Sequence, residues 1–115
     1  MILQVEFEEI KPGTAVVSFT GALTLGTSLH TADQRLQQAL EGGFPRLVLN
    51  MAGVPYIDSA GLGALIHTSG LAKENGGELR LCGVSERVAA LIKMTRTDNL
   101  LPMDIDVEAS LAALA

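Results

Sequence analysis

The chain has 115 residues, 48% hydrophobic and 18% charged, which is enough length and apolar content to bury an ordinary core and excludes a disordered segment. Aromatics make up only 3%, so the core must be built from Leu, Val, Ile and Ala, and the stacking platforms of single-stranded nucleic-acid binders are missing. A net charge of −5, with eight basic residues scattered along the chain, argues against nucleic acid or an anionic membrane surface as a partner.

That length predicts one domain over residues 1–115. No apolar run approaches the length of a transmembrane helix, so no membrane insertion is expected. The opening MILQVEFEEI is acidic and enters a strand pattern at once, unlike a secretory signal, so the cytoplasm is the expected location. Cys82 is the single cysteine; no internal disulfide can form, and its alternating surroundings predict a buried, inert thiol.

Over residues 2–9, apolar Ile2, Leu3, Val5 and Phe7 are interleaved with Gln4, Glu6 and Glu8, which predicts a half-buried strand. Lys11-Pro12-Gly13 is a tight turn, and Thr14 to Thr20 a second strand, giving an antiparallel hairpin. Gly21 ends that strand. The hydroxyl-rich loop Thr24 to Ser28 follows, with Thr27 or Ser28 as the cap of a helix carrying Leu29, Ala32, Leu36, Ala39 and Leu40 and closed by Gly42-Gly43. Leu47, Val48 and Leu49 form a buried strand that stops at Asn50. After a loop holding Gly53 and Pro55, Leu62, Leu65, Ile66, Ser69 and Ala72 mark one face of a second helix, ended by Gly76-Gly77. Glu78 to Cys82 is a strand. Ser85 caps a third helix with Val88, Leu91, Ile92 and Met94. Leu100 to Met103 is a short last strand, placed at an edge or strand end by Pro102, and Asp106 caps a final helix with Val107, Leu111 and Leu114. The order is ββαβαβαβα, an α/β fold: a mixed β-sheet with helices packed on it as one layer pair, the helix-linked strands running parallel.

The stretch that concentrates chemistry is residues 46–75, RLVLNMAGVPYIDSAGLGALIHTSGLAKEN. Ser59 stands at the start of its helix as the natural N-cap, where the helix dipole favours negative charge. A phosphate carried by Ser59 would suit that position, but Ser is also among the commonest plain caps, and the residues alone leave both readings open. Asp58 beside it reads as a partner of the dipole. A catalytic constellation is missing. His30 and His67 are the only histidines, and His67, eight residues past Ser59, lies roughly 12 Å along the helix. Ile57 stands where a G-x-S-x-G elbow needs glycine, the glycine-rich spots lack G-K-[ST], and two histidines and one cysteine do not make a zinc site. No enzyme and no cofactor are expected.

YIDSAGLGAL, at 56–65, resembles the signature of anti-sigma factor antagonists, the single-domain STAS proteins of bacteria. The resemblance extends through Gly21-Ala22-Leu23, LVLNM, ELRLCGVSERVAALIKMT and DNLLPMDIDVEASLAAL to most of the chain. It implies a STAS fold in which Ser59 is phosphorylated by an anti-sigma factor that is also a serine-protein kinase, with a protein phosphatase reversing the step. The unphosphorylated form would bind the anti-sigma factor and free a sigma factor for transcription, and ATP and Mg²⁺ would sit in the kinase. The docking surface implied is Asp58, Ser59, Ala60, Gly61, Leu62 and Gly63, with Thr24 and Thr27 from the 21–28 loop; His67 and Met94 are further candidates, Met94 being equally well explained as core. The alternative within the family is an accessory subunit of a transporter or stress-signalling complex. Two positions depart from the family pattern. Thr24 stands where an Asp is usual, and Thr95-Arg96-Thr97 replaces Thr-Gly-Leu, which predicts a left-handed Arg96 or a remodelled turn.

Overall fold

The structure, a computed structural model, describes residues 2–114; the ends of the 1–115 range, Met1 and Ala115, lie outside it. Strand β1 (Gln4–Lys11) pairs antiparallel with β2 (Thr14–Thr20) across the two-residue turn Pro12-Gly13, Gly13 taking φ 81°. Lys11 belongs to the strand rather than to the turn, paired with Thr14. Strands β3 (Arg46–Gly53), β4 (Glu78–Cys82) and β5 (Met103–Asp104) then add in parallel, giving one five-stranded sheet in the order β1-β2-β3-β4-β5. Helices α1 (Thr27–Glu41), α2 (Ser59–Glu74), α3 (Glu86–Met94) and α4 (Val107–Leu114) complete the predicted order ββαβαβαβα.

Each parallel step moves the chain the same way across the sheet, so crossovers of one hand place α1, α2 and α3 on one face. Their residues Ala32, Leu36, Leu62, Leu65, Ala72, Val88 and Ile92 share a single, mostly aliphatic core with Val17 and Phe19 of β2, Leu47 and Leu49 of β3, and Leu79 and Leu81 of β4. The expectation of one layer pair is incomplete. Helix α4 covers the opposite face, where Val107, Leu111 and Leu114 pack on buried Val16, Val48 and Cys82. On that face β3 and β4 each turn one apolar side chain, Val48 and Cys82, away from the main core, and both are fully buried, so they need cover on the second side as well. Burial pushes the Cys82 thiol above its ordinary pKa, as an inert thiol requires.

Three local expectations need correction. Strand β1 begins at Gln4 rather than at residue 2: Ile2 is exposed and Leu3 buried ahead of it, Val5 is half-buried, and Phe7 is exposed, its ring meeting Phe44 edge-on. Leu100 and Leu101 are not in a strand: both donate their N–H groups to the Thr97 carbonyl in a turn, and Leu101 is buried there. Pro102 lacks a ladder donor, yet its carbonyl accepts the Leu81 N–H at 2.8 Å, which is how it sits at the start of the two-residue β5. Neither Thr27 nor Ser28 caps α1. Gly26 holds that position at φ 125°, a conformation side chains resist, and both hydroxyls fall inside the first turn. The caps expected at Ser85 and Asp106 are present, accepting from Val88 N–H at 3.2 Å and Ala109 N–H at 2.9 Å.

Helix α4 is also tied down by a polar clamp. Arg80 on β4 donates Nε and Nη2 to Asp104 at 2.7 and 3.1 Å, and Ser110 of α4 donates its hydroxyl to the same carboxylate at 2.7 Å. The Arg80 guanidinium, chiefly, holds the Asp104 pKa below the usual carboxylate value. A carboxyl with a lowered folded pKa contributes stability above its unfolded value, near pH 4, and loses it as pH falls through the folded value. Asp104→Ala is therefore expected to cost about 2 kcal/mol in urea titration at pH 7, and the difference from wild type should shrink as the titration is repeated towards pH 2.

Arg96 has φ 58°, the left-handed conformation that the departure from glycine predicts. It closes α3 in a Schellman turn: Thr97 N–H reaches the Ile92 carbonyl at 3.1 Å and Arg96 N–H the Lys93 carbonyl at 3.0 Å. A side chain there costs about 1 kcal/mol against glycine. Arg96→Gly should raise the unfolding free energy by about that amount; no gain in urea titration would show that the Arg96 side chain compensates elsewhere.

Candidate functional site

Two loops meet at the end of the sheet where the parallel strands finish. Leu23, in the β2–α1 loop, bridges Ile57, in the β3–α2 loop. Leu23 N–H donates to the Tyr56 carbonyl and Asp58 N–H to the Leu23 carbonyl, both at 3.3 Å. That bridge holds Asp58 extended, at φ −98° and ψ −176°, directly before the helix. Asp58, not Ser59, is consequently the N-cap of α2: its Oδ1 accepts the Gly61 N–H at 2.8 Å. Asp and Ser cap equally well, so the choice between neighbours falls to the tertiary bridge. The second oxygen, Oδ2, accepts the Leu25 N–H at 2.9 Å. These N–H groups, Leu25 first and then Gly61, hold the Asp58 pKa below its ordinary value.

Ser59 is the first residue of the helix and is exposed. Gly63, one turn on, is exposed as well, while Asp58 and Ala60 are half-buried. Gly61 and Leu62 are buried and shape the surface from beneath. Leu62 belongs to the core, and a Cβ on Gly61 would run into the Leu23 carbonyl oxygen. Thr24 is half-buried beside a hollow lined by Thr20, Gly21, Ser28, Gly53, Pro55 and Tyr56, and Thr27 is exposed at the start of α1. His67 lines a groove between α1 and α2 together with Leu25, Leu29, His30, Asp33 and Ala64. Met94 is 80% exposed, which removes the core explanation for it.

Leu25, 78% exposed, was not singled out from the sequence; the available signal was a lone leucine in a hydroxyl-rich loop with no periodic partner. Arg87 was missed too. Its guanidinium lies 4.7 Å from the centre of the Tyr56 ring and joins the start of α3 to the same surface. Among the described residues, no group of three or more His, Cys, Asp or Glu side chains is placed to hold a metal ion, and no helix is long and apolar enough to cross a membrane.

The chain is similar to the anti-sigma F factor antagonist of Paenibacillus polymyxa, with 29% identity over 103 residues, 90% of this chain and 87% of that protein. Its fold is similar to the crystal structure of an anti-sigma factor antagonist from Mycobacterium paratuberculosis, with a TM-score of 0.80 and 23% identity over 97% of this chain and 93% of that one. It is also similar to the Bacillus cell fate determinant SpoIIAA in its phosphorylated form, with a TM-score of 0.74 and 15% identity over 96% and 99% of the two chains. The STAS domain model matches residues 8–111, from β1 into α4 and across both loops of the site, and the chain belongs to the STAS domain family.

Proposed function

We propose that this STAS protein is an anti-sigma factor antagonist, a cytoplasmic binding module rather than an enzyme, switched by phosphate on Ser59. The observation that carries the reading is an exposed serine at the first position of α2, next to a carboxylate that already caps the helix. The hydroxyl is thus free of a structural duty. The relatives described above support the same reading, one being an anti-sigma F factor antagonist and another a protein whose structure was solved in phosphorylated form.

In this reading the unmodified surface at Asp58, Ser59, Ala60 and Gly63, with Thr24 and Thr27 beside it, docks on an anti-sigma factor and releases a sigma factor. Gly61 and Leu62 support that surface from within. The partner's kinase activity transfers the γ-phosphoryl group of ATP to the Ser59 oxygen, the hydroxyl proton leaving and ADP departing. A phosphatase hydrolyses the ester and restores the binding form. ATP and Mg²⁺ belong to the kinase. The test is incubation with the anti-sigma kinase of the same organism, followed by phosphopeptide mass spectrometry, run beside the same analysis of protein from native cells. Phosphate at Ser59 in both samples is expected; a kinase that leaves Ser59 unmodified, or modifies another residue instead, defeats the reading.

A further inference from the structure

Asp58 holds two N–H groups from two different segments. Its bond to Gly61 lies inside the helix start and is partly buried, whereas its bond to Leu25 crosses 33 residues of sequence to an exposed loop. Between the Leu23 bridge and the start of α1 lie only Thr24, Leu25 and Gly26, and the Asp58 carboxylate is bound to the middle one. Leu25 is 78% exposed on the loop bonded to Asp58, the neighbour of Ser59, and the bond at its N–H holds the backbone that carries this side chain.

We propose that Asp58 is a positioning residue that presents Leu25 as an apolar docking contact for the anti-sigma partner, and that the phosphate state of Ser59 is read at Leu25 through Asp58. The proposal rests on the function proposed above. A phosphoserine adds about −1.5 to −2 charges and three acceptor oxygens at pH 7. Those oxygens are drawn to the same first-turn N–H groups that attract Asp58, and the two anions repel each other. A carboxylate pressed in this way gives up the N–H that water can satisfy. The Leu25 N–H is exposed; the Gly61 N–H is partly buried. Losing a hydrogen bond is cheap where solvent replaces it and costly where it cannot. Phosphorylation then acts twice, charging the docking surface and releasing its apolar contact, while the cap on α2 is kept.

Asp58→Asn separates the two duties. Asn caps as well as Asp, but with its oxygen kept on the Gly61 N–H its amide NH2 stands where Oδ2 accepts the Leu25 N–H, so a donor faces a donor and the Leu25 bond is lost. The first measurement is amide hydrogen exchange by NMR on the whole free protein, in wild type, in Asp58→Asn and with phosphoserine introduced at position 59 by codon expansion. Leu25 N–H exchange should be about tenfold faster in both altered forms, with Gly61 N–H unchanged. An unaltered Leu25 rate in the phosphoserine form overturns the coupling. The second measurement is affinity for the cognate anti-sigma factor. Leu25→Ala and Asp58→Asn should each weaken binding about tenfold, and the double variant by clearly less than the roughly hundredfold of two independent losses, since Asp58, itself on the docking surface, acts in part through Leu25. Additive losses, about a hundredfold in the double variant, overturn the positioning role. Failure of the unmodified wild type to bind defeats the partner reading, and with it Leu25 as a contact; the exchange rates decide the coupling on their own.

Discussion

Phosphate on Ser59 is expected to weaken binding of the anti-sigma partner by two orders of magnitude or more and to leave the melting curve almost unchanged. The two outcomes have different physical origins. In the free protein the phosphate sits at the start of a 16-residue helix, where the dipole and free N–H groups favour it by about 0.3–1 kcal/mol. Repulsion from the neighbouring Asp58 carboxylate opposes this, and between exposed charges water and salt reduce it to a similar size. The two nearly cancel in the fold. In a complex, a partner packed over Ser59 must strip water from a dianion, and a buried charge left unpaired costs several kcal/mol. At 1.4 kcal/mol per factor of ten in affinity, that is a loss of a hundredfold or more.

Ser59→Asp should behave like the phosphorylated form in binding and like wild type in melting. Ser59→Ala should bind constitutively. Because Asp58 supplies the cap, this variant loses no hydrogen bond to the helix start, and an exposed first-turn Ala should melt within about 0.5 kcal/mol of wild type. Calorimetric titration of the unmodified, phosphorylated, Asp and Ala forms against one anti-sigma factor, beside their melting curves, makes the comparison. Equal affinity of the Ser and Asp forms would remove the charge switch, and unfolding of the Asp form would make it a folding switch instead.

The element order could be read from the sequence because it rests on local signals. Period-two and period-3.6 patterns, glycine pairs after helices, and caps at Ser85 and Asp106 need only near neighbours. What was not legible depends on residues far apart in the chain. The Asp58 cap is selected over Ser59 by the bridge between Leu23 and Ile57, which no local rule contains. The second covered face follows from α4 meeting Val16, Val48 and Cys82 of three different strands. Leu25 becomes informative only when its N–H is found on the Asp58 carboxylate, 33 residues away. The left-handed Arg96 was readable because the resemblance supplied glycine as the usual occupant, and the backbone requirement outlasts the substitution. The proposed phosphorylation site was located through a motif, whereas its mechanical setting belongs to the packing of two loops.

The same substitution two residues apart in α2 should have opposite signs. Gly61→Ala is expected to destabilise the protein by about 3 kcal/mol, and Gly63→Ala to stabilise it by up to about 1 kcal/mol. Both glycines are helical, so both gain the same backbone propensity from a methyl group. The surroundings decide. At Gly63 a Cβ meets no atom within 4 Å and points into solvent beside Ser59. At Gly61 it meets the Leu23 carbonyl oxygen, with the Ile57 Cβ at 3.3 Å behind it. That carbonyl cannot swing aside as a flexible side chain would, because it accepts the Asp58 N–H and belongs to the bridge that sets the cap. The helix start must therefore lift off the β2–α1 loop, which strains the bridge and parts Asp58 from Leu25. Urea titration reads the two stabilities, and the slope of each transition checks that the folded surface is unchanged. Binding to the anti-sigma factor reads the rest. Gly63→Ala adds one methyl group to an exposed turn and should alter affinity by less than about threefold, equivalent to about 0.6 kcal/mol, whereas Gly63→Trp should keep the fold and block docking. Gly61→Ala, measured well below its melting temperature, should bind weakly although Ser59 is untouched. Full stability in Gly61→Ala would mean that the two loops can separate at no cost, and the close approach of α2 to Leu23 would then have no part in shaping the docking surface.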